Sequence, residues 1–180
     1  MADSIDRLYE AVLLARARLA SGQARRPIAP ALISAVPATL KGDVSFAFLQ
    51  AQQARRADKP QEAAKFLAGV PRDPALLGDG DEWWTERRLI ARKLLDDRDA
   101  ATAYEVAAGH GAEDAAERID AEWHAGFIAL RFRDQPGIAL EHFSEAARHA
   151  ETPISVSRAV TTCSSAATAA ARRAATPSTS

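Results

Sequence analysis

Two adjacent tryptophans open the stretch Asp81-Glu82-Trp83-Trp84-Thr85-Glu86-Arg87-Arg88-Leu89-Ile90-Ala91-Arg92-Lys93-Leu94-Leu95. It has the spacing of an amphipathic helix and runs into an acidic turn, after which a second helical pattern begins. The same layout occurs once before it and once after it. With the turn residues Asp58, Asp97 and Asp134 as markers, the three units lie 39 and 37 residues apart. Helical runs precede the turns at Phe46 to Arg56, Thr85 to Leu95 and Ala121 to Arg133; others follow at Gln61 to Leu67, Ala100 to Ala108 and Gly137 to Ala150. Pro60 and Pro136 stand just after their turns, where a first helical turn tolerates a residue without an N–H. Small residues follow at Ala63, Thr102 and Ala139, and larger ones at Leu67, Val106 and Phe143, so that paired helices can approach and fill one another's grooves. A period of this length carrying two helices predicts an all-α chain, a stack of tetratricopeptide-like hairpins of the α-solenoid kind.

The rest of the chain is organised around that region. Residues 1–43 are expected to form one helix and a proline-rich connection. Ile5, Leu8, Val12, Ala15 and Leu19 recur at helical spacing from about Ser4 to Ala20, with Asp3 or Ser4 as N-cap and Gly22 as terminator. Pro27, Pro30 and Pro37 break the chain after it, leaving room for a short turn of helix around Ala31 to Ala35. Residues 44–158 are the hairpin region. Residues 159–180 are low in complexity, almost all Ala, Thr, Ser and Arg, with no large apolar side chain after Val160. Such a segment can form a helix but has little to bury, and it is expected to fray or be disordered.

Composition removes several classes of function. Twenty-three Lys and Arg against 24 Asp and Glu leave a net charge of -1, which gives no electrostatic reason to expect nucleic acid or an anionic membrane. The single cysteine, Cys163, excludes an intramolecular disulfide framework and a Cys-based zinc site. No apolar run approaches the length of a membrane span. The N-terminus is acidic and the apolar run Ala11 to Ala15 is short for a signal core, so the chain as it stands is expected in the cytoplasm. No cofactor motif is present: there is no Gly-rich phosphate loop and no Gly-x-Ser-x-Gly elbow.

Five strings, in order, resemble one family. They are Val70-Pro71-Arg72-Asp73-Pro74, the Asp81 to Leu95 run, Thr102-Ala103-Tyr104 leading to Ala107-Ala108-Gly109-His110, Glu122-Trp123-His124-Ala125-Gly126-Phe127-Ile128-Ala129-Leu130-Arg131-Phe132, and Glu151-Thr152-Pro153-Ile154-Ser155. From about Phe46 to Arg158 the chain resembles the superhelical N-terminal region of soluble lytic murein transglycosylases, periplasmic enzymes that cleave peptidoglycan strands. The resemblance implies a helical scaffold, a periplasmic location, and peptidoglycan strands or a catalytic domain as partners. It stops near Arg158, where family members continue into an aromatic-led helix with a Gly-Arg-Ala motif. Their lysozyme-like domain, with its Glu-Ser pair and Gly-Leu-Met-Gln-like string, has no counterpart in these residues. The expectation is a truncated or frameshifted protein, carrying the scaffold and not active alone.

Within that frame the candidate groups are few. Trp83 and Trp84 offer faces on which sugar rings can stack, and Arg87 and Arg88 begin a basic patch, continued by Arg92 and Lys93, that can meet an anionic polymer. These four, Trp83, Trp84, Arg87 and Arg88, are the candidate glycan or partner surface. Against that, tryptophans at helix starts usually anchor packing, and Glu82, Glu86, Asp96, Asp97 and Asp99 can pair with the basic residues as a solvated face. Trp123 and Phe127, four apart, are expected in the core. His142, Glu145 and His149 can share a helical face, but a seven-residue gap sets the imidazoles roughly 10 Å apart by helical rise, so no metal site is expected. Glycoside cleavage needs a carboxylic acid with a raised pKa, and no acidic residue is framed by apolar ones in the required way. Glu105 and Glu141 lie on second helices where they can face inward, without a partner. No catalytic residue is assigned. The rival reading is a stand-alone adaptor that binds peptides in the groove of a helical repeat. A truncated last hairpin would also expose Ile154 and Val156 and favour self-association.

Overall fold

The computed structural model describes residues 2–23 and 27–175, and the side chains of residues 10, 12–19, 21–23 and 27–175. These residues form α1 (Ala2–Gln23), α2 (Pro30–Ser34), a 3-10 turn (Ala38–Leu40), α3 (Val44–Arg56), α4 (Pro60–Leu67), α5 (Pro74–Leu77), α6 (Gly80–Asp96), α7 (Ala100–Ala108), α8 (Ala115–Phe132), α9 (Pro136–Arg148) and α10 (Pro153–Ala175). No strand occurs among them, so the all-α expectation holds. They fall into two compact units, Met1–Leu77 and Gly78–Ser180.

In the first unit α1 packs on α3 around Leu14, Ala17, Val36, Phe46 and Leu49, with Ile28, Ile33 and Leu40 at the margin. The face of α1 that does this differs from the expected one. Val12 and Leu19 are 52% and 65% exposed, whereas Leu14, Ala17 and Ser21 are buried. An alanine-rich helix carries two rival stripes, and the narrow one wins because small residues let α3 come close. Ile5, Leu8 and the caps at Asp3 or Ser4 lie outside the described side chains. The helix also runs past Gly22. Below Ser21 a polar seam replaces the apolar contact: Gln53 Nε2 donates to Ser21 Oγ (2.6 Å) and Gln53 Oε1 accepts the Ile28 N–H (2.7 Å). Ser21 Oγ bonds Gln52, and Arg56 donates to the Ser21 carbonyl (2.6 Å), so the buried polar atoms of this seam are satisfied by one another.

The hairpin turns repeat in three-dimensional detail. Each is closed by a residue in the left-handed region, Asp58 (φ 60), Arg98 (φ 62) and Asp134 (φ 52). Each is followed by a residue of nearly one conformation: Lys59 (φ -120, ψ 68), Asp99 (φ -93, ψ 70) and Gln135 (φ -117, ψ 69). The N–H of Lys59 reaches back to Ala54 O (2.9 Å) and that of Asp99 to Leu94 O (2.8 Å), while Asp58 and Arg98 bond Arg55 O and Leu95 O. That is the helix-ending motif in which a left-handed residue satisfies the last free carbonyls. The equivalent of Asp58 is therefore Arg98 and not Asp97, and the second helices align on Pro60, Ala100 and Pro136. In this register the fourth residues are Ala63, Ala103 and Ala139, each 0% exposed, which replaces Thr102 of the sequence alignment. The eighth are Leu67, Ala107 and Phe143, all buried, which moves the second position from Val106 to Ala107.

In the second unit α6 pairs with α7 and α8 with α9, α7 lies against α8, and α10 lies against α9. α6 and α8 begin earlier than their apolar patterns, because Asp79 and Asp114 cap them: Asp79 accepts from Asp81 and Glu82 N–H, Asp114 from Ala116 and Glu117 N–H. The two starts are also tied to each other. Asp81 Oδ1 accepts the Glu113 N–H (2.8 Å), and Glu113 Oε1 accepts the Gly80 N–H (3.2 Å). At Gly80 a Cβ would fall 1.9 Å from the Gly111 carbonyl oxygen, a backbone atom that cannot swing aside. Gly80→Ala is therefore expected to destabilise this unit by about 1–3 kcal/mol, the range for overpacking. Gly137, near the start of α9, has open space where its Cβ would be. Gly137→Ala is expected to stabilise by about 0.4–1 kcal/mol through the unfolded chain. Urea unfolding followed by circular dichroism checks both; equal effects of the two changes would refute the close approach at Gly80.

The segment expected to fray is helical as far as Ala175, and residues 176–180 lie outside the described ones. It is held by small residues. Ala159 is 5% and Ala166 0% exposed, and Cys163 packs between them against the cluster of Ala129, Ala139 and Phe143. Their spacing of about one and two turns makes a flat stripe that α9 can approach closely. Arg173 near its end bonds the Asp134 carbonyl (2.6 Å) and carboxylate at the α8–α9 turn.

Candidate functional site

Two carboxylates of α8, two residues apart, gather polar side chains from α6, α7, α8, α9 and the α7–α8 loop. The first is Asp120. It accepts from the Trp84 indole N–H (3.1 Å) and from Arg88 (2.8 Å), both on α6. His124 Nδ1, one turn further along α8, lies 3.3 Å from the same carboxylate and 2.8 Å from the Asp120 carbonyl. Burial pushes the Asp120 carboxyl up, but the bonds and charge of His124, and the bonds of Arg88 and Trp84, outweigh it and hold the group far below the usual carboxylate range.

The second is Glu122, 7% exposed, whose two oxygens serve two histidines. Oε1 meets His110 Nε2 at 2.9 Å and Oε2 meets His142 Nδ1 at 2.5 Å. The far nitrogens are also engaged. His110 Nδ1 accepts the Ala112 N–H (3.4 Å), which makes Nε2 the donor, and His142 Nε2 lies 3.0 Å from the Tyr104 hydroxyl. One proton arrangement satisfies every member: both imidazoles neutral, each donating to an ionised Glu122, with the Tyr104 O–H donating to His142. Burial again works against the charge, yet the hydrogen bonds from His110 and His142 outweigh it and bring the Glu122 carboxyl down from 4.5 to about 2. Tyr104 is on α7, His110 in the α7–α8 loop, Glu122 on α8 and His142 on α9, so one carboxylate clasps the loop and three helices.

Trp84 joins the two clusters. It is 0% exposed and its indole meets the His110 and His124 rings edge-on, at centroid distances of 6.1 and 5.5 Å. Trp83 and Arg87 are buried as well. Arg87 reaches the Val106 carbonyl (3.2 Å) by passing Gly109, where a Cβ would lie 2.8 Å from its guanidinium nitrogen. Of the four residues named as a possible glycan or partner surface, three are therefore buried, and Arg88 is partly open to solvent and engaged with Asp120. The reason is their helical phase, which turns Trp84 toward Asp120 on α8 and Arg87 toward Val106 on α7 and leaves Trp83 buried. Trp123 and Phe127, expected in the core, are half-buried and stack on each other at 5.0 Å, with the Arg158 guanidinium 3.9 Å above the Trp123 ring.

The other sequence candidates separate. His142 bonds Glu122, while Glu145 and His149, both half-buried, bond each other (3.2 Å) further along α9. No group of three or more His, Cys, Asp or Glu among the described residues is arranged to hold a metal. Glu105 and Glu141 are exposed. Glu122 and His142 reach an open cleft of about 670 Å³ whose other walls are Gly137, Leu140, Glu141, Ser144, Glu145 and Arg148. The chemistry available there is limited by the clasp. Glu122 has the lowered pKa of a stabilised anion, the opposite of what a proton donor to a leaving oxygen requires. Both nitrogens of His142 are taken by protein partners. No helix among the described residues is long and apolar enough to cross a membrane.

Compared with known proteins, the chain matches no family model, no curated protein and no solved structure.

Proposed function

We propose that this helical region is a scaffold of the lytic transglycosylase superhelical type, a repeat of tetratricopeptide-like hairpins that holds and presents a surface to peptidoglycan strands in the periplasm and performs no bond cleavage itself. One observation carries the reading: the strings that bear the resemblance supply the clasp. Trp84 and Arg88, Tyr104 and His110, and Glu122 and His124 come from three separate strings, and they converge on the two α8 carboxylates. Residue types that a chemist would look for in an active site are thus spent on joining hairpin to hairpin. The recurrence of one turn conformation at Asp58, Arg98 and Asp134 supports the repeat architecture in the same way.

The test uses purified protein and isolated peptidoglycan sacculi. Co-sedimentation with sacculi is expected, with no release of anhydro-muropeptides above a heat-killed control. Release above that control would overturn the scaffold assignment. A folded protein that stays in the supernatant would overturn the peptidoglycan assignment and leave the adaptor reading, in which the same hairpins bind a protein segment.

A further inference from the structure

We draw no further inference here: the strongest candidate, the groove of about 540 Å³ between Trp123 on α8 and the first turns of α10 at Pro153, Ile154, Arg158 and Thr161, is an unpartnered face, and nothing in the structure shows what covers it.

Discussion

Trp84→Ala is expected to lower the unfolding free energy of the second unit by about 3–5 kcal/mol, the range for deleting a fully buried tryptophan. Trp84 is 0% exposed and lies between the Asp120 and Glu122 clusters, so the hole left behind is walled by polar groups that cannot close over it. The two rings it touches, His110 and His124, lose an apolar wall while keeping their hydrogen bonds. Trp84→Phe separates packing from the polar contact. It keeps most of the ring and removes only the indole donor to Asp120, which still has Arg88 and His124. Its cost is expected to be smaller, about 1.5–3 kcal/mol as for a hydrogen bond to a charged group. Urea titrations followed at 222 nm give both values. A loss below about 1 kcal/mol for the alanine variant would contradict the buried position of Trp84 and the role of α6 as the inner wall of this unit.

The helices were legible because proline, glycine and acidic residues punctuate a regular apolar period. Hairpin pairing followed from short turns, which force neighbouring helices to lie side by side. Register slipped by one residue at the middle hairpin for a definite reason. The left-handed position that closes each turn is usually marked by Gly or Asn. Here it is Asp58, Arg98 and Asp134, and in Asp97-Arg98-Asp99 an arginine sits between two aspartates that look more like the marker. The segment after Arg158 has no large apolar side chain beyond Val160, and its burial rests on small ones. α10 is held by an alanine and cysteine stripe instead, with Ile154, Val156 and Val160 left facing outward.

The site was harder to read than the fold. Glu122 carries a local hint, since its neighbours Ala121 and Ala125 are of the type that packs inward, and both are buried. Its partners give no such hint. His110 is 12 residues before it and His142 20 after, and only the folding back of α7 and α9 on α8 brings the three together. A sequence search for catalytic acids looks for carboxyls framed by apolar residues, which raise the pKa. Glu122 is buried among donors, which lower it, and so it falls outside that search while being the most constrained carboxylate of the unit. Asp120 escapes for the same reason. Trp84 and Arg88 drew notice as a possible outer surface because their chemistry suits binding. Helical phase decides that question: Trp84 and Arg87 share the buried face of Ile90, Ala91 and Leu94, and Arg88 lies at its margin.

The second large effect is expected at Glu122 itself, where the nature of the replacement decides the outcome. Glu122→Ala leaves the His110 and His142 N–H donors facing a void in a buried site, and each buried donor left unsatisfied costs about 1–3 kcal/mol. Glu122→Gln is expected to cost less, because the network can rearrange. The amide oxygen accepts from His110, the amide N–H₂ donates to His142 Nδ1, and His142 moves its proton to Nε2, turning the Tyr104 hydroxyl from donor to acceptor. The pH dependence distinguishes the charge from the shape. Glu122 has a folded-state pKa of about 2 against an ordinary 4.5, so the folded state binds the proton less tightly than the unfolded one. Its contribution is fully present above pH 4.5 and is lost as pH falls toward 2, amounting to roughly 3 kcal/mol across the window at 1.36 kcal/mol per unit. Asp120 behaves in the same sense, but it is present in both proteins and cancels in the comparison. The stability gap between the native chain and Glu122→Gln should therefore narrow as pH falls from about 4.5 toward 2. A gap that stays constant down to pH 3 would show that Glu122 is not held ionised by His110 and His142, and the clasp as described would be wrong.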